Sequence, residues 1–258
     1  MAARWMTQVA IGLALLVCAM SCHSGETLQT KPDEPAAPFV PGSSAITGTI
    51  KYDGAVPEFL KVPIDTSAVP DCAAHRTTPL YREDLVLGEG QALANVIVHI
   101  TSGLPKRAYP VPTEPVELTQ AGCQYAPHVF CIRVGQPLKV LNPEPMMHNV
   151  NANGKANSPF NMSMVSSVKE KSVEFDRPEF VVPFKCDVHP WMNAYCAVMD
   201  HPFFAVTGKD GKFTIANLDA GTYDIEAWHE ALGVQKAKLQ VAKDETKTID
   251  FTFTKPSK

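Results

Sequence analysis

The chain has little charge and no surplus of positive charge. Of its 258 residues, 19% are charged, with 23 Lys and Arg against 27 Asp and Glu, a formal net charge of −4. Such a balance cannot neutralise a phosphate backbone, so nucleic acid is excluded as an electrostatically favoured partner. No long stretch repeats its apolar residues at the helical period, which argues against a helix bundle. The N-terminal apolar run, Val9 to Met20, is too short to span a bilayer comfortably. No Ser-His-Asp pattern, Gly-rich phosphate loop or paired-acid motif stands out. What is present is a 45% apolar composition, 22 Pro, and β-forming residues in short runs. Seven Cys and eight His make metal or disulfide chemistry the first question.

Residues 1–22 have the layout of a secretory signal: Arg4, then the apolar run, then Ala19-Met20-Ser21-Cys22. Two cleavage readings are open. Ala19 and Ser21 suit ordinary signal peptidase, whereas Ser21-Cys22 resembles a bacterial lipobox, in which Cys22 is acylated and becomes the new N-terminus. The expectation is residues 1–21 as signal and Cys22 as lipid anchor, with plain secretion as the alternative. Residues 22–44 are polar and Pro-rich and read as a flexible tether. The resulting location is the periplasm or outer cell surface, touching a membrane only through the lipid.

From Ile46 onward the pattern is all-β. Ile46–Tyr52 alternates and stops at Asp53-Gly54, and Asn95–Ile100 is a second strand. Val129–Val134 and Leu138–Leu141 flank a hairpin-like break at Gly135-Gln136. Ser172–Phe175, Phe180–Phe184 and Tyr195–Met199 follow, and Lys155–Ser167 is the one place where a helix is expected. The last sixty or so residues alternate around turns such as Asp210-Gly211. Short strands at this spacing predict sandwiches rather than βαβ units.

One segment carries chemistry. Phe184-Lys-Cys186-Asp-Val-His189-Pro-Trp-Met192 puts a thiolate, an imidazole and a thioether on one tight loop, each three residues apart. Asn142-Pro-Glu-Pro-Met-Met-His148-Asn149 adds a second imidazole from a different strand. Soft sulfur with imidazole selects copper, and His2Cys with a weak axial Met is the blue-copper donor set. Zinc is a weaker rival, because Met is a poor zinc ligand. Met146, Met147, Met162 and Met164 offer a second idea, a Met-based site for Cu(I) in transit, although Met more often fills gaps in a core. His75, His99, His128, His201 and His229 have no local ligand spacing and read as structural or surface residues.

Over roughly residues 115–200 the sequence resembles the cupredoxins, and its Cys-x2-His-Pro-x-Met loop is most similar to the amicyanin type. The resemblance implies a Greek-key sandwich with one type 1 copper held by His148, Cys186, His189 and Met192. It also implies that Asn149 braces the ligand loop through its backbone N–H to the sulfur. Residues 201–258 resemble a transthyretin-like, carboxypeptidase-regulatory-like sandwich, on Asp210-Gly211-Lys212-Phe213 and Leu218-Asp219-Ala220-Gly221-Thr222-Tyr223. Gly48–Gly54 is similar to that fold's first strand. The expected organisation is therefore a copper domain at 115–200, inserted in or adjacent to a sandwich formed by part of 45–114 and by 201–258. Ile46–Tyr52 is expected to pair with Lys212–Ile215 and Tyr223–Trp228.

With Cys22 assigned to lipid and Cys186 to metal, Cys72, Cys123, Cys131 and Cys196 remain, and three pairings are open. The preferred one is Cys72–Cys123 with Cys131–Cys196; the first closes a loop of about fifty residues, ~4 kcal/mol in the chain-entropy picture. A donor set with every position filled suits a one-electron carrier rather than an enzyme. Electrons would leave through His189, with Pro190 and Trp191 as an apolar docking patch for an unidentified redox partner protein. The alternative is a Cu(I)-handling or accessory interaction protein.

Overall fold

The computed structural model describes residues 39–76 and 78–255; the signal, Cys22 and most of the tether lie outside them. The fold is all-β. One six-residue helix, Pro70–His75, and two short 3-10 turns are the helical elements among the described residues.

Two sandwiches are built by interrupting one with the other. In the first, a sheet in the order Val129–Arg133, Asn193–Met199, Glu179–Lys185, His148–Ala152, Phe160–Met164 faces a sheet in the order Gln124–Ala126, Val116–Ala121, Leu138–Leu141, Glu170–Val173. Leu118, Ile132, Val140, Val150, Val182, Phe184 and Cys196 fill the space between them. In the second, Ser44–Asp53 lies antiparallel to Lys212–Leu218 and parallel to Thr246–Thr248 and Phe251–Thr254. Its opposing sheet runs Phe204–Val206, Ile97–Ser102, Gly221–His229, Gly233–Val241.

Alternation explains the long first strand. Ser44, Ile46, Gly48, Ile50 and Tyr52 point inward while their neighbours face outward. Gly48 is required there, because a Cβ would sit 1.7 Å from the Ile249 carbonyl oxygen. Ile46 pairs with Ile215 and Gly48 with Phe213. Tyr223–Trp228 does not join this strand: it lies in the opposing sheet, against Leu239–Val234 and Ile97–Ile100. Its side chains meet those of Ile46 and Ile50 across the core rather than through hydrogen bonds.

The chain leaves the second sandwich after Ser102 and returns at Phe204. Arg133, 3% exposed, holds both crossings together, donating to the carbonyls of Tyr109 and Pro110 on one and of Met199 and Asp200 on the other. The sandwiches also share an apolar seam of Ile97, Val129, Ala197 and Met199, flanked by Tyr195 and Trp228. His128 Nε2 and Glu230 form an ion-pair contact across it.

Three expectations need correction. Lys155–Ser167 is not helical; Phe160–Met164 is a strand, with Met164 buried and Phe160 and Met162 against the core. Gly135-Gln136 does not close a hairpin. Gly135, at φ +75°, and the Gln136 side chain, which accepts from Arg133 N and donates to Glu114 O, turn the chain from one sheet into the other. Cys131 and Cys196 are not bonded. In the parallel register Cys196 sits beside Phe130 and Cys131 beside Ala197. Cys196 therefore faces the core of the first sandwich and Cys131 the seam, on opposite faces of one sheet, which no disulfide can bridge. Cys72 and Cys123 do form a disulfide, closing a separation of 51 residues.

Candidate metal centre

The hairpin Glu179–Lys185/Asn193–Met199 ends in the turn 186–192, which is closed by its own backbone: Cys186 N donates to Met192 O and Met192 N to His189 O, both at 2.9 Å. Cys186, His189 and Met192 are thereby fixed at one end of the sandwich. His148 opens the neighbouring strand, His148–Ala152, whose pairing with Lys185 brings it to the same end. All four side chains are buried, from 0% exposed at His148 to 3% at Cys186.

The donor atoms converge. His148 Nδ1 and His189 Nδ1 are 3.1 Å apart, and Cys186 Sγ is 3.4 Å from His189 Nδ1. One ligand atom from each of the three residues falls in a group whose members all lie within 4.8 Å of one another. The tautomer of His148 follows from its other nitrogen. Nε2–H donates to Glu144 Oε2 at 2.6 Å, so Nδ1 presents its lone pair to the cluster. Burial lowers the pKa of both rings; that of His189 falls to about 4, with the nearby His148 as a second cause. Both imidazoles are neutral at neutral pH, the form that donates to a metal.

Glu144 is positioned by an Asx turn. Asn142, fully buried, accepts from Glu144 N and donates to the carbonyls of Met146 and Met164. The Glu144 carboxylate also accepts from Gly122 N at 2.7 Å and Cys123 N at 3.4 Å. The sequence reading overlooked this residue, although an acid four positions before a candidate ligand His was there to be noticed.

Asn149 braces the loop, but with its side chain. Its Oδ1 accepts from Asp187 N at 2.7 Å and from the Cys186 thiol at 3.3 Å, and its Nδ2 reaches Asn161 and Asp187. The carboxamide oxygen accepts from the donors of the loop, a contact beyond the backbone N–H to sulfur bond that the resemblance implies. Asn151 and Asn161 also donate to the Asp187 carboxylate, and these bonds lower its pKa.

The expected exit route is altered. His189 is 1% exposed, with the Cys72 and Cys123 sulfurs within 4.8 Å of one of its ring nitrogens and the Trp191 ring 5.7 Å from its own. The Cys72–Cys123 disulfide ties the helix Pro70–His75 to this end, and Arg76 bonds to the Gly122 carbonyl. Trp191 stacks no free surface: its Nε1 donates to Cys123 O at 3.0 Å and its ring packs on Cys72, Cys123 and Met146. Pro190 remains exposed beside it.

The Met residues do not converge on one site. Met164 is core and accepts from Gln120, Met147 is 44% exposed, and Met146 touches the disulfide. Among the other histidines, His99 stacks on Phe180 at 4.6 Å and His229 is buried with Nδ1 accepting from Ala231 N at 3.2 Å.

No family model and no curated protein matches the sequence. Among solved structures, the chain is similar to a mutant of amicyanin in its Cu(I) form, with 21% identity over 40% of this chain and 98% of that one and a TM-score of 0.30. It is also similar to a purple cupredoxin from Nitrosopumilus maritimus, with 20% identity, coverage of 33% and 99%, and a TM-score of 0.28. A copper-containing nitrite reductase from Thermus scotoductus gives 18% identity and a TM-score of 0.32; 39% of this chain aligns to 26% of the reductase. The chain thus spans about a quarter of the reductase's length, and at such scores these likenesses carry no functional argument.

Proposed function

We propose that this protein is a one-electron carrier that holds a single copper ion at His148, Cys186, His189 and Met192. The observation that supports this most is the donor set itself: two neutral imidazoles and one thiol, buried, mutually within reach, with a thioether on the same turn. Thiolate with imidazole and a weak thioether is the set that suits copper in electron-transfer sites rather than zinc or a hard cation. When bound, copper supplies the one-electron couple.

The chain's residues do the rest. Glu144 holds the His148 proton on Nε2, Asn149 restrains Asp187 beside Cys186, and the closed turn fixes His189 and Met192. With the turn closed by its backbone and His148 held by Glu144, the donors should keep nearly the same positions before and after electron transfer, which is what a carrier requires. Because His189 is buried, we place the electron port at the Pro190–Trp191 edge, where Pro190 is exposed and the Trp191 ring lies 5.7 Å from that of His189. The partner is a redox protein that docks at this edge. We also propose that Cys22 carries a lipid anchor, placing the protein in the periplasm or at the outer surface.

Protein-film voltammetry of the copper-loaded chain tests the carrier role. The expected result is one reversible one-electron wave per chain. A metal that binds stoichiometrically and shows no reversible couple favours the second reading, a copper-handling protein, which the sulfur-rich surroundings of Met146 also suit.

A further inference from the structure

A second sulfur cluster backs onto the first site. Cys72, 0% exposed, and Cys123, 1% exposed, are bonded to each other, and Met146 Sδ lies 4.0 Å from Cys72 Sγ and 3.7 Å from Cys123 Sγ. One ring nitrogen of His189 lies within 4.8 Å of both cysteine sulfurs. Cys123 is also grouped within that distance of a Glu144 oxygen and a His148 nitrogen. A disulfide placed only to staple a loop needs no thioether against both sulfurs and no imidazole and carboxylate around them.

We propose that Cys72, Cys123 and Met146 form a second metal site, selective for Cu(I), that exists only when their disulfide is reduced. Three sulfurs around a trigonal metal, at metal–sulfur distances of about 2.3 Å, stand about 4 Å from one another. Met146 already holds that distance to both cysteines, so only the two cysteine sulfurs have to separate. Two thiolates and a thioether are the soft donors that favour Cu(I).

The chemistry balances with an external dithiol as reductant. The dithiol is oxidised to its own disulfide and passes two electrons and two protons to Cys72–Cys123, whose S–S bond breaks to give two thiols. Cu(I) then displaces both thiol protons to solvent without changing oxidation state. Arg76 donates to the carbonyl of Gly122, the residue before Cys123. The link between the helix Pro70–His75 and Cys123 is then made by the disulfide in the oxidised form and by the bound ion in the reduced form.

The test uses the full chain with Cys186→Ser, which removes the thiolate of the first site and keeps the two sites separable. The dithiol state is produced by expression in a reducing compartment and verified by counting alkylated thiols by mass. Cu(I) is then titrated anaerobically against a chromophoric chelator. The expected result is one tightly held Cu(I) in the dithiol form and affinity lower by about a hundredfold in the disulfide form. Adding Met146→Leu should weaken the dithiol form by about tenfold, with melting temperature as the control for folding. Copper K-edge absorption should count three sulfur neighbours, falling to two with Met146→Leu. Equal Cu(I) affinity in the two redox forms overturns the proposal, as does an affinity indifferent to Met146. If the wild-type disulfide form shows no blue copper while the Cys186→Ser dithiol form binds Cu(I), the first site's assignment fails and this one stands.

Discussion

Replacing Glu144 with Gln keeps the shape of the side chain and removes its charge. In the wild type one carboxylate serves three donors: His148 Nε2 at 2.6 Å, Gly122 N at 2.7 Å and Cys123 N at 3.4 Å. A carboxamide has a single acceptor oxygen. If that oxygen keeps Gly122 N, its NH2 group faces His148 Nε2 and a donor meets a donor. The ring resolves the clash by moving its proton to Nδ1, the nitrogen 3.1 Å from His189 Nδ1, and so loses the lone pair it would offer a metal. A hydrogen bond to a charged partner contributes about 1.5–3 kcal/mol, and loss of such a partner behind a ligand His costs about 10- to 100-fold in metal affinity. The two figures agree, since 1.4 kcal/mol is about tenfold. Chelator competition with Cu(II) on purified Glu144→Gln should therefore show a Kd raised about 10- to 100-fold. The metal-free protein should still melt cooperatively, because the sandwich core is untouched, at a temperature lower by several degrees. An affinity within a factor of about two of the wild type would refute the claim that Glu144 sets the His148 tautomer.

Further predictions concern the ligand turn, the thiols and pH. Met192→Leu conserves volume at a buried position and should cost less than about 1.5 kcal/mol in stability, keep the copper, and shift the reduction potential; complete loss of copper would show that the thioether is a primary ligand. Mass mapping without reduction should find Cys72 linked to Cys123, with the buried Cys186 and Cys196 alkylated only after unfolding; a Cys131–Cys196 peptide would contradict the opposite-face geometry. His189 and His229 are held neutral by burial, each with a folded pKa of about 4, against an ordinary value of 6.5. A depressed His pKa means the unfolded chain takes up the proton first. Metal-free stability should thus be full above about pH 6.5 and fall as the pH drops from there toward 4, so a denaturation midpoint that is flat across this window would refute it.

The fold was legible where side chains alternate. Ile46–Tyr52 and Gly221–Trp228 show their inward faces in the sequence, and both are strands. Which sheet each joined was less legible: Tyr223–Trp228 packs over the first strand rather than beside it, and alternation looks the same in either case. Phe160–Met164 was misread because two Met in a polar setting carry no β signal until they meet a core. The ligand turn was readable because its donors are local. Glu144 was not singled out, since its role appears only when His148 turns its ring toward it. The approach of Cys72 to His189 could not be read at all, since it depends on Cys72 meeting Cys123 across a separation of 51 residues. The proposed Cys131–Cys196 pair failed on facing, which depends on register and not on proximity along the chain.

We propose His148, Cys186, His189 and Met192 as the residues that hold one copper, through the Cys186 thiolate. The most direct measurement is the visible absorption spectrum of the protein loaded with one equivalent of Cu(II), recorded beside Cys186→Ser loaded in the same way. The hydroxyl in the variant retains Asn149 Oδ1 as acceptor in place of the thiol 3.3 Å away, so the fold should persist. The account predicts an intense thiolate-to-copper band toward the red in the wild type, blue to the eye, and none in the variant. A wild type that binds copper without this band, or a Cys186→Ser protein that stays blue, would contradict it.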